Sequence, residues 1–149
     1  MPPLVRRYIK TAIVYLVFGL LLGLHIGAAE YCGWGRLRQP YVVAHTHVLL
    51  LGFLLMLIMG VALWMFPQPA GHDRRAQDPR AEFAWWLVTV GVCARTLGEI
   101  TSAYWMSHAL GVAIFWASAC EALGVIVFFV NLWPRIRSPR EELARLRVE

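Results

Sequence analysis

The sequence predicts an all-α integral membrane protein, a four-helix bundle in a single domain with both termini cytoplasmic. Three observations predict it. The 149 residues are 59% hydrophobic and only 15% charged, which leaves too little polar surface to dress a soluble globule of that size. The apolar residues gather into runs of spanning length, and the basic residues fall almost entirely on one side of those runs.

The first run, TAIVYLVFGLLLGLHIGAA, follows a short basic lead, MPPLVRRYIK, and is expected to span over about residues 11–29. Its basic start and its small residues Ala28 and Ala29 also resemble a cleaved signal peptide, but the run is longer than the usual ~7–15-residue signal core. Gly19, Gly23 and Gly27 repeat every fourth residue and predict a face where another backbone approaches closely, within one chain or between copies in a homo-oligomer. EYCGWGRLRQP reads as a loop. The second span, about 41–66, contains AHTHVLLLGFLLMLIMGVALWMF and is expected to stop at Pro67 and Pro69. QPAGHDRRAQDPRAE is polar and extramembrane, and His72 within it reads as solvated.

Residues 83–133 are too long for one crossing, which takes ~17–25 residues. The group TSAYWMSH therefore marks a turn, giving spans of about 83–103 and 108–133, with a basic tail over 134–149. Arg6, Arg7 and Lys10, the arginines of the 68–82 segment and those after Pro134 share one side, whereas Arg36 and Arg38 lie on the other. That asymmetry predicts cytoplasmic termini in the inner membrane of a bacterium. The basic balance thereby reflects topology and the lipid bilayer, with no nucleic acid as partner. Cys32, Cys93 and Cys120 show no CxxC spacing, so neither a disulfide framework nor a zinc ribbon is implied.

In this topology His25, His45, His47 and His108 all fall near the outer ends of their spans, within roughly 10 Å of the boundary at ~1.5 Å per residue. An imidazole in hydrocarbon needs a metal or a hydrogen-bond partner, so this layer is the candidate site. A haem held by two histidines needs them on facing, non-adjacent helices, which favours His45 or His47 with His108 as metal ligands. His45 and His47 are about 200° apart around their helix, so only one should bind. His45 is preferred because Gly52 and Gly60 share its face and offer room for a flat cofactor, as do Gly111 and Ala119 near His108. His25 is then a supporting group or an alternative axial ligand.

Arg95 and Glu99, one turn apart, either neutralise each other or act as cofactor-binding residues, with Arg95 on an anionic group such as a porphyrin propionate and Glu99 orienting it or a ligand. Glu121 is a third intramembrane charge, suited to a proton relay or an interhelical contact.

The run AHTHVLLLGFLLMLIMGV resembles the second transmembrane helix of subunit one of the haem-copper oxygen and nitric oxide reductase superfamily. His45 matches the low-spin haem ligand there, and Gly60 the later glycine. HxHxxLLG[FW] and the FFVNLWP ending are also similar to small membrane proteins described as subunit-one-like. This chain has four spans where the family has about twelve, and it lacks the paired-histidine helix and the copper histidines. The resemblance implies a small b-type haem protein serving electron transfer with a redox partner, or binding a diatomic gas such as nitric oxide or oxygen.

The alternatives are a copper or zinc site built from His25, His45 or His47, His108 and Glu99, for metal handling or oxidase assembly, and a structural accessory subunit. Enzymatic activity is left open, as no phosphate-binding glycine loop, nucleophile elbow or HExxH signature occurs.

Overall fold

A computed structural model describes residues 1–66 and 78–136, so His72, most of the 68–82 segment and most of the basic tail lie outside the described residues. The described chain is helical, and four of its helices are long and apolar enough to cross a membrane: α1 (Pro3–Tyr31), α2 (Gln39–Met65), α3 (Pro79–Ser102) and α4 (His108–Leu132). The basic lead expected before the first span is itself helical. Pro3 sits in the first turn, where its missing N–H costs nothing, and α1 runs on through Arg6, Arg7 and Lys10.

Sequence explains the helix starts. Asp78 caps α3, accepting from the amides of Arg80 and Ala81, and Ser107 caps α4 through the amide of Leu110. Between them the chain reverses at the expected turn, where Tyr104 and Trp105 are exposed. Consecutive helices pack on one another, whereas α2 and α4 form no extended seam and occupy opposite corners.

The α3–α4 seam is the tightest, and it is made by small residues. A Cβ on Gly124 would lie 2.9 Å from Leu87 Cβ and 3.1 Å from the Ala84 carbonyl, and one on Gly91 would lie 3.0 Å from the Ala117 carbonyl. Small residues of this kind let two helix backbones approach closely, the packing that joins membrane-spanning helices where apolar burial gives no driving force. The α1–α2 seam uses the predicted glycine stripe in part. Leu49 fills the notch at Gly19 and His45 that at Gly23, while Gly27 meets no neighbour. The within-chain contact expected on that stripe is made at Gly19 and Gly23, which α2 of the same chain occupies.

α2 is not a uniform α-helix. Immediately after His47, residues Val48–Leu55 wind as a π-helix before α-geometry resumes at Met56. Such wide turns are rare and concentrate at functional sites.

At the end of the bundle holding Pro3, Met65 and Pro79, the core is dry and closely packed. Tyr8, Met56, Met59, Val88 and Phe128 are fully buried, and the rings of Tyr8 and Phe128 meet at 5.8 Å. The tyrosine hydroxyls find backbone partners on α3: Tyr8 donates to the Ala81 carbonyl and Tyr15 to that of Thr89, both at 2.7 Å. Trp85 donates to Thr11 Oγ1, Arg7 pairs with Glu82, and a clasp joins α3 to the end of α4, with Asn131 Nδ2 at 2.6 Å from Asp78 Oδ2 and Arg135 paired to the same oxygen.

Two predictions follow from these seams. Gly124→Ala should destabilise the bundle by about 1–3 kcal/mol through overpacking, whereas Gly111→Ala, which meets only Met106 Cε at 3.5 Å, should not; denaturant unfolding in detergent compares them. Burial pushes the Asp78 carboxyl up, but Asn131, the Ala81 amide and Arg135 together hold it below the usual carboxylate range. A depressed carboxylate stabilises above its unfolded pKa and loses that contribution as pH falls through the lower folded value. The stability gap between wild type and Asp78→Asn should accordingly be full at neutral pH and close as the solution is acidified below the ordinary carboxylate range.

Candidate functional site

The side chain that gathers the others is Arg95, on α3. Arginine carries five N–H donors and no acceptor, so a largely buried guanidinium must be surrounded by acceptors. Here Nε reaches Glu99 Oε1 at 2.9 Å, one amino group reaches Glu121 Oε2 on α4 at 3.2 Å, and the other reaches His47 Nε2 on α2 at 2.8 Å. Three helices are tied by one side chain, across the diagonal that separates α2 from α4. The side chains of Glu99 and Glu121 are 7% and 4% exposed, and His47 is the most open member at 26%.

Local sequence explains how they meet. Gly91 lets α4 come close enough that Glu121 Cγ and backbone occupy the place of a side chain on α3. Arg95 is one turn further along and leans back toward the start of its helix, as helical side chains do, which carries its head to Glu121. Glu99, a further turn on, closes the i, i+4 pair.

The tautomer of His47 follows from its partner. Because Arg95 can only donate, Nε2 must accept, and the neutral ring carries its proton on Nδ1. Nδ1 lies 3.0 Å from Glu99 Oε1, but out of line for a hydrogen bond. A second proton on this imidazole would set its N–H against those of Arg95. With His47 neutral the cluster holds one cation and two carboxylates, a net negative charge inside an apolar bundle. Burial of an unbalanced charge is costly, so the neutral state of the cluster includes one added proton. Each carboxyl has one unpartnered oxygen, but Glu99 Oε1 takes the shorter Arg95 bond, at 2.9 Å, and has His47 Nδ1 beside it, whereas Glu121 has a single contact to Arg95 at 3.2 Å. Glu121 is the natural holder.

The remaining predicted residues are placed apart from this cluster. His45 faces α1, its Nδ1 2.9 Å from the Gly19 carbonyl and its ring lying on Gly23. His25 is exposed and stacks on Tyr41 at 4.9 Å, and Tyr41 in turn meets Tyr104 through their hydroxyls, 2.8 Å apart. Arg38 lies 4.8 Å over the Tyr104 ring and also donates to the Ala103 carbonyl at the end of α3. His108 is exposed beside Met106, Gly111 and Phe115 in a shallow groove. The histidine layer expected from depth alone thus resolves into separate contacts, and His45 and His108 do not face one another.

Three further groups are placed as follows. Gly52 and Gly60 do share a face with His45, but the room assigned to a macrocycle is taken by α1, with Tyr15 filling the notch at Gly52 and Tyr8 that at Gly60. Arg95 is occupied by its own chain's two carboxylates rather than turned toward a propionate. Among the described residues no three His, Cys, Asp or Glu side chains are grouped to hold a metal ion. A guanidinium at the centre of the charged cluster explains why that cluster is none.

Sequence reasoning gave Arg95 and Glu99 their pairing, left Glu121 between a proton relay and an interhelical contact, and preferred His45 to His47. One signal was available: a single intramembrane arginine with two intramembrane glutamates calls for a third, proton-exchanging partner.

Comparison with known protein families, with characterised proteins and with solved structures finds no match to this chain.

The cluster makes a stability prediction. Arg95→Met leaves two buried carboxylates without their cation and should cost about 3–5 kcal/mol, read by denaturant titration in detergent. Adding Glu121→Gln to it should recover part of that loss, because a carboxyl left without Arg95 is then replaced by a neutral amide that cannot ionise.

Proposed function

We propose that this chain is a multi-pass membrane protein, with both termini cytoplasmic in a bacterial inner membrane, that takes up and releases a proton within its outer half for a partner reaction such as electron transfer. The observation that carries the reading is the imbalance at Arg95: two buried carboxylates and a neutral imidazole around one guanidinium. Such a group has no purely structural justification, since one carboxylate would neutralise the arginine with less desolvation. Arg95 holds the cluster together, Glu99 positions His47 and Arg95, and Glu121 holds the exchangeable proton. The orientation rests on the basic residues Arg6, Arg7 and Lys10 at one end against Arg36 and Arg38 at the other.

Infrared difference spectroscopy of the purified protein across a pH series tests this. A protonated-carboxyl band that titrates and disappears in Glu121→Gln is expected. A spectrum with no titrating buried carboxyl would remove the proposal.

A second reading is haem b with His45 as an axial ligand. One observation favours it: the Gly19 carbonyl beside Nδ1 fixes the tautomer that leaves Nε2 as the metal-binding nitrogen, the usual arrangement of a ligating histidine. It requires α1 and α2 to part at Gly23, on which the ring lies. A Soret band in protein purified without added haem, abolished in His45→Ala, would support this reading; colourless protein that also refuses haem titration would end it.

A further inference from the structure

We infer that the proton on Glu121 exchanges with one side of the membrane only, the side of Tyr31 and Gln39, through a hydrated pocket entered past His47 and closed below by the dry core. The inference rests on the proton-exchange reading above and adds to it the route, the sidedness and the exclusion of transmembrane proton conduction.

Five buried polar atoms in this part of the bundle lack a protein partner: His47 Nδ1, Thr89 Oγ1, Thr96 Oγ1, Glu99 Oε2 and Glu121 Oε1. Their concentration is unusual, since buried polar atoms are almost always satisfied and each orphan costs ~1–3 kcal/mol. Thr96, Glu99 and Glu121 are themselves 3%, 5% and 3% exposed. The threonines are informative because a helical threonine ordinarily returns its hydroxyl to the carbonyl four residues back, as Thr46 does to Val42 and Thr101 to Leu97. Thr89 and Thr96 do not, although two turns of helix put them on one face of α3, with Glu99 continuing the row. Water is the partner such a set of convergent donors and acceptors recruits, because each molecule finds several polar contacts there.

The ends of this row differ. Toward Tyr31 and Gln39 it opens at His47, the most exposed cluster member. About 12 Å of helix, at ~1.5 Å per residue, separates His47 from the start of α2. Toward the other end it meets Val88, Met56, Met59, Phe128 and Tyr8, all fully buried, and the only polar atom among these side chains, the Tyr8 hydroxyl, is spent on the Ala81 carbonyl. Beyond Glu121 lie the Thr89 hydroxyl and that of Tyr15, which is spent on the Thr89 carbonyl, and past these the five fully buried side chains just named offer no free polar atom among the described residues. His47 is the cluster member at this open end, and its Nδ1 lies 3.0 Å from Glu99 Oε1.

Sealed proteoliposomes of the full chain test the inference. Sidedness is read from Cys32, exposed at the end of α1, with a membrane-impermeant maleimide. Glu121 is probed with a lipophilic carbodiimide, which adds to a protonated carboxyl, and adduct is quantified by mass spectrometry at different pH inside and outside. Modification of Glu121 is expected to follow the pH of the Cys32 compartment alone, with no proton leak above that of protein-free vesicles. In His47→Gln, shown to be folded by circular dichroism, re-equilibration after a pH jump should slow by at least about tenfold. Labelling that follows the opposite compartment or both, a proton leak, or an undiminished rate in His47→Gln would overturn the inference. Labelling indifferent to both pH values would instead overturn the proton-exchange reading itself.

Discussion

A guanidinium inside an apolar bundle is the constraint to which this structure answers. A guanidinium has five donors and no acceptor, so the helices around Arg95 must supply acceptors from several directions at once. They do so from α2, from α3 itself and from α4. The consequence is architectural as well as electrostatic. α2 and α4 have no extended seam of their own, and the hydrogen bonds of this one side chain span the gap between them. The close α3–α4 approach at Gly91, Gly98 and Gly124 follows the same requirement, since Glu121 could not reach Arg95 if a Cβ on Gly91 pushed α4 away.

The two halves of the bundle divide the work. The half containing Pro3, Phe66 and Arg135 is held by packing and by polar groups that are satisfied: tyrosines on backbone carbonyls, Asn131 and Arg135 on Asp78, Arg7 on Glu82. The half containing the cluster keeps its polar atoms incompletely paired. A fold that fully satisfied Glu121 and Glu99 would be more stable and would have nothing to exchange. Stability is thus concentrated where chemistry is absent. The π-helical stretch belongs to the same division, because it begins at the residue after His47 and lies between the cluster and the packed core.

Most of the fold was legible in the sequence, and the reasons are local. Run lengths, the turn at residues 101–108 and the Gly19–Gly23 notch are properties of neighbouring residues or of spanning length, whereas the helix starts at Pro3 and after Asp78 lie ahead of the starts at about 11 and 83 that apolar run length alone set. The site was legible only in part. Depth could be counted along each helix, and it correctly set the histidines near one end, but azimuth could not. Whether His45 or His47 turns inward depends on which neighbour occupies which side of α2, and that is settled by Gly19 and Gly23 receiving His45 and by Arg95 receiving His47. Glycines opposite a histidine were read as space for a cofactor, whereas in a closely packed bundle a glycine records a neighbour that has already arrived. At Gly52 and Gly60 that neighbour is a tyrosine ring.

Charge counting would have gone further than geometry did. In water, Arg95 and Glu99 one turn apart would be an ordinary surface pair worth a few tenths of a kcal/mol. Between lipid-facing helices the same pair becomes the nucleus of a site, because the cost of burial makes every additional charge conditional on a partner. Glu121 has no i, i+4 cation on its own helix, so its only recourse is across the α3–α4 seam. Once it takes half of Arg95, the neutrality of the group depends on a proton, and the proton's address depends on how many donors each carboxylate already faces. His47 then has a role that no metal is needed to explain: it accepts from the arginine, stands beside the glutamate, and is the most exposed member of the cluster.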